Sequence, residues 1–275
     1  MIDADLARAL ANEMTPKFMG TLDEKGIPNC VPITTTTLYD DHTLVFGEFL
    51  MNKTRKNLLT CDKVSVAVIT ESFDTWRIQG TFLGFETSGD RVDFINRSPI
   101  FRYNAYTSIR AAGLICIESV SPKASLSKAG YALDFLHCIA LRLPLAFLFP
   151  ARSLQPSAYS LPAMPRPVLE KFARFSAVRA LTYVNKEGQP VTLATVACVS
   201  AGPSRLLLSD SLFRAHEAAL VPGSVVAASV LTGDPIAYQV KGLYRGIRWG
   251  VGVVDLNECY SASPPLLGER LNRVS

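Results

Sequence analysis

Lys53, Thr54, Arg55, Lys56 and Asn57 follow one another and form the densest basic cluster in the chain. Ammonium and guanidinium groups beside a hydroxyl suit one small anion, a phosphate above all. Arg can bind two of its oxygens at once, while Lys acts as a point charge. A helix that starts after Asn52 adds backbone N–H groups with no partner inside the helix. On such a helix residue 53 shares a face with 56 or 57, whereas 55 points elsewhere. Lys53 and Thr54 are therefore expected to hold the anion, joined by Arg55 or Lys56. The competing reading is a solvated basic helix face.

Other chemistries have little support. The six cysteines (30, 61, 116, 138, 198 and 259) show no C-x-x-C spacing, and His42, His137 and His216 are scattered. A His/Cys metal site or a His-based triad is thus not expected, and the thiols read as buried and reduced in a cytoplasmic protein. The net charge is only +4 and no long Lys/Arg run exists, which argues against a nucleic-acid partner. The N-terminus lacks a signal-peptide pattern. The apolar stretch Tyr131–Phe149 contains Asp134, His137, Arg142 and Pro144. It is too interrupted to span a membrane and predicts a packed helix ending near Pro144.

An internal repeat supplies the scaffold. Gly26-Ile27-Pro28 recurs 162 residues later as Gly188-Gln189-Pro190. At the same offset Leu44 falls on Leu206, Val64–Thr70 on Val226–Thr232, and Trp76–Gly80 on Tyr238–Gly242. Further on, Gly113–Ile117 matches Gly252–Leu256 at an offset of 139, so the first repeat carries an insert over about Ser88–Ala111. Shared turn glycines and strand register are what a common backbone demands. The expected organisation is repeat one over 1–121, a helical connector and Pro/Ser linker over 122–164, and repeat two over 165–275. Each repeat reads as a helix followed by strands, which for repeat one are about Lys17–Leu22, Asn29–Leu38, Thr43–Glu48, Lys63–Thr70, Thr75–Phe85 and Gly113–Val120. A helix is predicted over Asn52–Thr60. Many short strands with few helices give a mainly β fold, a small antiparallel barrel in each half.

The stretches Thr21–Asn29, Met51–Leu58, Arg77–Thr81 and Gly113–Ser121 follow in this order within roughly Phe18–Leu126. Together they resemble the FMN-binding split-barrel superfamily that includes pyridoxamine-phosphate oxidase, especially its small bacterial FMN-binding proteins. The resemblance implies two tandem split barrels that imitate the family's homodimer, with FMN between them; a true homodimer is the alternative. It places the FMN phosphate at Lys53–Asn57. The ring and ribityl chain would lie beside Thr34, Thr35 and Thr36, Phe46 and Gly47, and Arg77 and Gln79. Alternation would put Thr34 and Thr36 on one strand face and Thr35 on the other. Ordinary β-branched strand preference accounts equally well for the threonines.

Repeat two departs where the chemistry matters. Ala215, His216, Glu217, Ala218 and Ala219 replace the cluster, and Glu217 would repel a phosphate. One FMN per chain follows. The implied activity is FMN-dependent oxidoreduction or electron transfer, with NAD(P)H or a redox protein as partner. The alternatives are a non-catalytic module for flavin, deazaflavin or haem, and a structural protein that has lost its cofactor.

Overall fold

The computed structural model describes residues 2–48, 51–98, 109–125, 127–148, 163–195, 197–209, 220–234, 236–262 and 268–271. The fold is mainly β. Repeat one runs α1 (Ala4–Ala11), β1 (Lys17–Leu22), β2 (Pro28–Pro32), β3 (Thr37–Asp40), β4 (Thr43–Gly47), α2 (Asn52–Thr60), β5 (Lys63–Ile69), β6 (Asp74–Glu86), α3 (Asp90–Asn96) and β7 (Ala112–Val120). The two-residue strand β8 (Ala124–Ser125) and helix α4 (Lys128–Leu148) follow. Repeat two runs α5 (Arg166–Ala173), β9 (Val178–Val184), β10 (Pro190–Thr195), β11 (Cys198–Ser200), β12 (Arg205–Ser209), β13 (Val225–Leu231), β14 (Ala237–Arg248) and β15 (Val251–Ser261).

The two sheets are copies. Their strand orders, β2-β1-β5-β6-β7-β4-β3 and β10-β9-β13-β14-β15-β12-β11, are identical once eight is added to each strand number. Register agrees residue by residue: Met19 pairs with Val66 as Leu181 does with Ala228, and Leu44 with Ile115 as Leu206 does with Val254. Both repeats bulge at the same glycine, between Gln79 and Gly80 and between Lys241 and Gly242. A side chain there would drive a Cβ to 2.4 Å from the Cys116 carbonyl oxygen in one repeat and 2.2 Å from that of Asp255 in the other. Glycine lets the strands close at both places.

The repeats pack as a pseudo-dimer. β2 touches β9 and β13, while β10 touches β1 and β5, the reciprocal pattern of a twofold axis. Gly20 lies against Thr182, its own counterpart, so the axis passes near them; a Cβ on Gly20 would come within 2.7 Å of Thr182 Cγ2. Phe18, Cys30, Ala180 and Ala227 are wholly buried along this seam. Each barrel keeps a separate core, around Phe46, Val66 and Ile115 in one and Leu181, Val240 and Val254 in the other.

Two expectations need correction. The segment Asn29–Leu38 is not one strand: β2 stops at Pro32, and Ile33 to Thr36 make a turn closed by the Thr36 N–H to the Ile33 carbonyl, 3.2 Å. Thr35 Oγ1 stabilises that turn by accepting from the Gly47 N–H at 3.1 Å. Nor does α4 end at Pro144, which lies inside it. Tyr131, Phe135, Cys138 and Leu145 are buried against the β11–β12 side of repeat two, and that packing outweighs the hydrogen bond Pro removes. All six cysteines are free, and among the described residues no helix is long and apolar enough to cross a membrane.

Candidate functional site

α2 begins without a side-chain cap at Met51, and its first internal bond runs from the Arg55 N–H to the Met51 carbonyl, 2.8 Å. The N–H groups of Asn52, Lys53 and Thr54 therefore have no partner inside the helix. Thr54, Asn57 and Leu58 face the barrel and are buried, which fixes the helix's rotation and turns Lys53 towards repeat two. There its Nζ lies 4.7 Å from the centroid of the Tyr260 ring, a cation–π contact.

A cleft of about 210 Å³ opens at this helix start, lined by Asn29, Lys53, Thr54, Gln239, Tyr260 and Ser261 among others. Both repeats contribute. Gln239 Nε2 donates to Asn29 Oδ1 at 3.1 Å and to the Cys30 carbonyl. Asn29 Nδ2 in turn donates to Thr54 Oγ1 at 3.4 Å. An amide relay thus runs from the second repeat to the Thr54 hydroxyl, which accepts from Asn29 and keeps its own O–H free to donate. The donor set of amides, ammonium and hydroxyl has the chemistry of a phosphate site. The volume takes a phosphate and its chain; pockets that enclose a whole cofactor start at roughly 300 Å³.

The remaining residues of the basic cluster point elsewhere. Arg55 forms an ion pair with the buried Glu48 and lies 4.4 Å over the Phe85 ring. Lys56 is exposed, 3.8 Å from Glu24. Asn57 is buried and donates to Thr21 Oγ1 at 3.0 Å. Residues 215–219 of repeat two lie outside the described residues.

The threonines line a different cavity. Thr34, Thr35 and Thr36 sit with Lys17, Phe94 and Ile95 around a space of about 410 Å³ between α1 and α3. Phe46 is a core residue packed on Phe82 and Phe85. Gly47 is pressed by Ile109, whose Cγ2 would lie 2.6 Å from an added Cβ. Gln79 donates to the Pro190 carbonyl at 2.9 Å, across the repeat seam, and Arg77 bonds Ser121 Oγ through its backbone N–H. Arg77 also faces Tyr183 closely enough to oppose the burial that pushes the Tyr183 phenol up to about 12. Trp76 is buried, its indole N–H on Asp3 at 3.3 Å. Gln239 and Tyr260 were not anticipated from sequence; the visible signal was Gln239 set into an otherwise apolar strand position beside Val240.

No protein-family model matches the chain, and no curated protein does. Solved structures do. A HupZ protein of Group A Streptococcus is 24% identical, covering 44% of this chain and 92% of its own, with a TM-score of 0.38. An FMN-binding protein from Syntrophomonas wolfei is 20% identical over 44% of this chain and 86% of its own, TM-score 0.39. HutZ, the heme storage protein from Vibrio cholerae, is 11% identical over 46% and 97%, TM-score 0.35.

Proposed function

We propose that the chain binds one FMN, phosphate end in the α2 cleft, and serves as a cytoplasmic FMN-dependent oxidoreductase or electron-transfer protein. The observation that carries this is the pairing of an uncapped helix start with Lys53 and a Thr54 hydroxyl oriented from the other repeat. A phosphomonoester carries roughly two negative charges at neutral pH and matches that set. The likeness to an FMN-binding protein agrees with it. When bound, FMN supplies hydride or electron transfer, with NAD(P)H or a redox protein as the other party. The chain's part is to grip the phosphate and set the cofactor between two barrels that act together as a monomeric pseudo-dimer.

The deciding experiment is reconstitution with FMN, read by absorbance and by flavin fluorescence at equilibrium. One FMN per chain is expected, and the double change Lys53→Ala with Thr54→Ala is expected to weaken binding more than tenfold. Saturation at two per chain, or affinity untouched by the double change, overturns the reading. Haem is disfavoured as occupant because neither described histidine lines the cleft: His137 bonds the Trp249 carbonyl at 3.0 Å, and His42 sits in the β3–β4 turn.

A further inference from the structure

The repeats differ in the helix that covers each sheet. In repeat two it is α4, whose Tyr131 and Phe135 cluster with Ala197, Val199, Leu207 and Val253. Val45 and Leu114 are the counterparts of Leu207 and Val253, and in repeat one they are covered by Val92 and Ile95 of α3. α3 has 7 residues against 21 in α4. Beside it lies the threonine-lined cavity of about 410 Å³, a volume within the range of small-molecule sites, roughly 300–1,000 Å³.

Repeat two shows what belongs in that space. Glu13, Lys17, Thr35 and Thr36 of the cavity wall correspond, at the 162-residue offset, to Phe175, Arg179, Ala197 and Cys198. Aromatic rings of α4 stand among those counterparts. The Phe135 ring lies 5.7 Å from the Arg179 guanidinium carbon and edge-on to Phe175 at 5.1 Å, and Tyr131 stacks on Phe175 at 4.8 Å. Phe94, the aromatic residue of α3, packs instead edge-on against Tyr39, 5.3 Å away. The wall in repeat one is also more polar and less satisfied. Arg179 donates to three carbonyls, those of Phe172, Arg174 and Ala177. Lys17 Nζ donates to two, Asn12 at 2.8 Å and Thr34 at 3.2 Å, and its third N–H has no partner among the described residues. Thr36 is 1% exposed and its hydroxyl is unpartnered, a state rare for a buried polar atom unless a bound molecule completes it. Glu13 is already engaged by the Ser98 hydroxyl, and Arg97 stands exposed at the rim. Two cations thus face one occupied carboxylate, which favours an anion.

We propose that the α1–α3 cavity is a second ligand site, one that takes a small aromatic acid of one or two rings. The ring lies where Phe135 lies in repeat two, and the carboxylate accepts from Lys17 Nζ and the Thr36 hydroxyl in charge-assisted hydrogen bonds. Among the described residues the cavity shares no lining residue with the α2 cleft, so this site does not depend on the FMN reading.

The test is methyl NMR of the full chain with isoleucine methyls labelled. The signal of Ile95, which lines the cavity, is assigned through Ile95→Val. Benzoate and indole-3-carboxylate are titrated in, then their neutral amides, then FMN. The expected result is that at least one acid shifts Ile95 and saturates at one per chain, while its amide binds at least tenfold more weakly. Thr36→Val should weaken the acid at least threefold without lowering Tm, because it removes a hydroxyl that the empty fold leaves unpaired. Should that variant not fold, Lys17→Gln takes its place with the same expected loss. FMN bound in the α2 cleft with Ile95 unmoved leaves both sites standing. The proposal is overturned if neither acid moves Ile95, if the amide binds as well as the acid, or if the folded variant binds the acid like wild type. It is overturned too if FMN displaces the acid, since the cavity would then belong to the flavin site.

Discussion

Lys17 and Arg179 are counterparts 162 residues apart, and each plugs the carbonyl end of the helix before it: Lys17 Nζ donates to the Asn12 carbonyl at 2.8 Å, and Arg179 donates to the equivalent Arg174 carbonyl. Asn12 and Arg174 are the C-caps of α1 and α5, where the helix dipole favours a cation. Burial pulls the Lys17 ammonium from 10.5 down to about 8. Between those values the unfolded chain holds a proton the folded chain lacks, so stability rises with pH across that window. The favourable contribution is complete above 10.5 and is lost as pH falls through about 8. Urea melts of wild type and Lys17→Met at pH 7.5 and 9.5 check this. Wild type should gain stability relative to the variant at the higher pH. Comparison with the variant removes the background from Lys241, a second buried lysine, and parallel profiles would refute the assignment.

Gly20 allows the seam to close. A Cβ there would meet Thr192 Oγ1 at 2.0 Å and Thr182 Oγ1 at 2.9 Å, and those hydroxyls bond each other at 3.0 Å. Gly20→Val should therefore cost about 1–3 kcal/mol as overpacking, seen as a fall of several degrees in Tm. A variant that melts like wild type would mean that the halves do not meet as described.

Much of this arrangement was legible in the residues. The two offsets, 162 and 139, hold in every strand pairing, because turn glycines and paired core positions are tied to backbone geometry. The break after Pro32 was hidden by four threonines, residues that suit a strand by propensity yet here turn through a hydroxyl bond to Gly47. Pro144 misled in the opposite way, since tertiary packing of Tyr131 and Leu145 overrode a local stop signal. In the cleft, Lys53 and Thr54 were visible as a cluster, whereas Gln239 and Tyr260 lie more than 180 residues away and meet them only through the pseudo-twofold. A glutamine between Tyr238 and Val240, on a strand of otherwise buried register, was the signal that pointed there.

Asp255 anchors α4 to the second barrel. Its Oδ1 accepts from Arg205 Nε and Nη2 at 3.1 and 2.9 Å, and its Oδ2 from Arg245 Nε at 3.0 Å. Arg205 Nη1 then reaches the Leu145 carbonyl at 2.9 Å. Both Arg205 and Asp255 are buried, so Asp255→Ala leaves an uncompensated guanidinium and should cost about 3–5 kcal/mol. Arg205→Met with Asp255→Leu should recover most of that loss in a urea melt, because an apolar pair removes both buried charges together and Arg245, one-third exposed, is left where water reaches it. A double change no better than the single one would show that the bond to Leu145 matters more than the ion pair.

Within the basic cluster the geometry separates residues that composition cannot. Lys53 faces the cleft and the Tyr260 ring; Arg55 is held by Glu48 and Phe85, and Lys56 is solvated beside Glu24. Phosphate affinity should follow that division. Lys53→Ala should weaken FMN binding by tenfold or more, since it removes a charge-assisted contact worth about 1.5–3 kcal/mol. Lys56→Ala should change it less than about threefold, the scale of an exposed charge screened by salt. Arg55→Ala should also leave FMN affinity nearly intact but lower Tm, because it strands the buried Glu48 carboxylate. Adding Glu48→Gln to Arg55→Ala should restore part of that Tm, a rescue expected only if Arg55 serves the fold. Should Arg55→Ala instead abolish binding while Tm holds, the guanidinium must swing from Glu48 to the phosphate, and the division drawn here between cleft and scaffold is wrong.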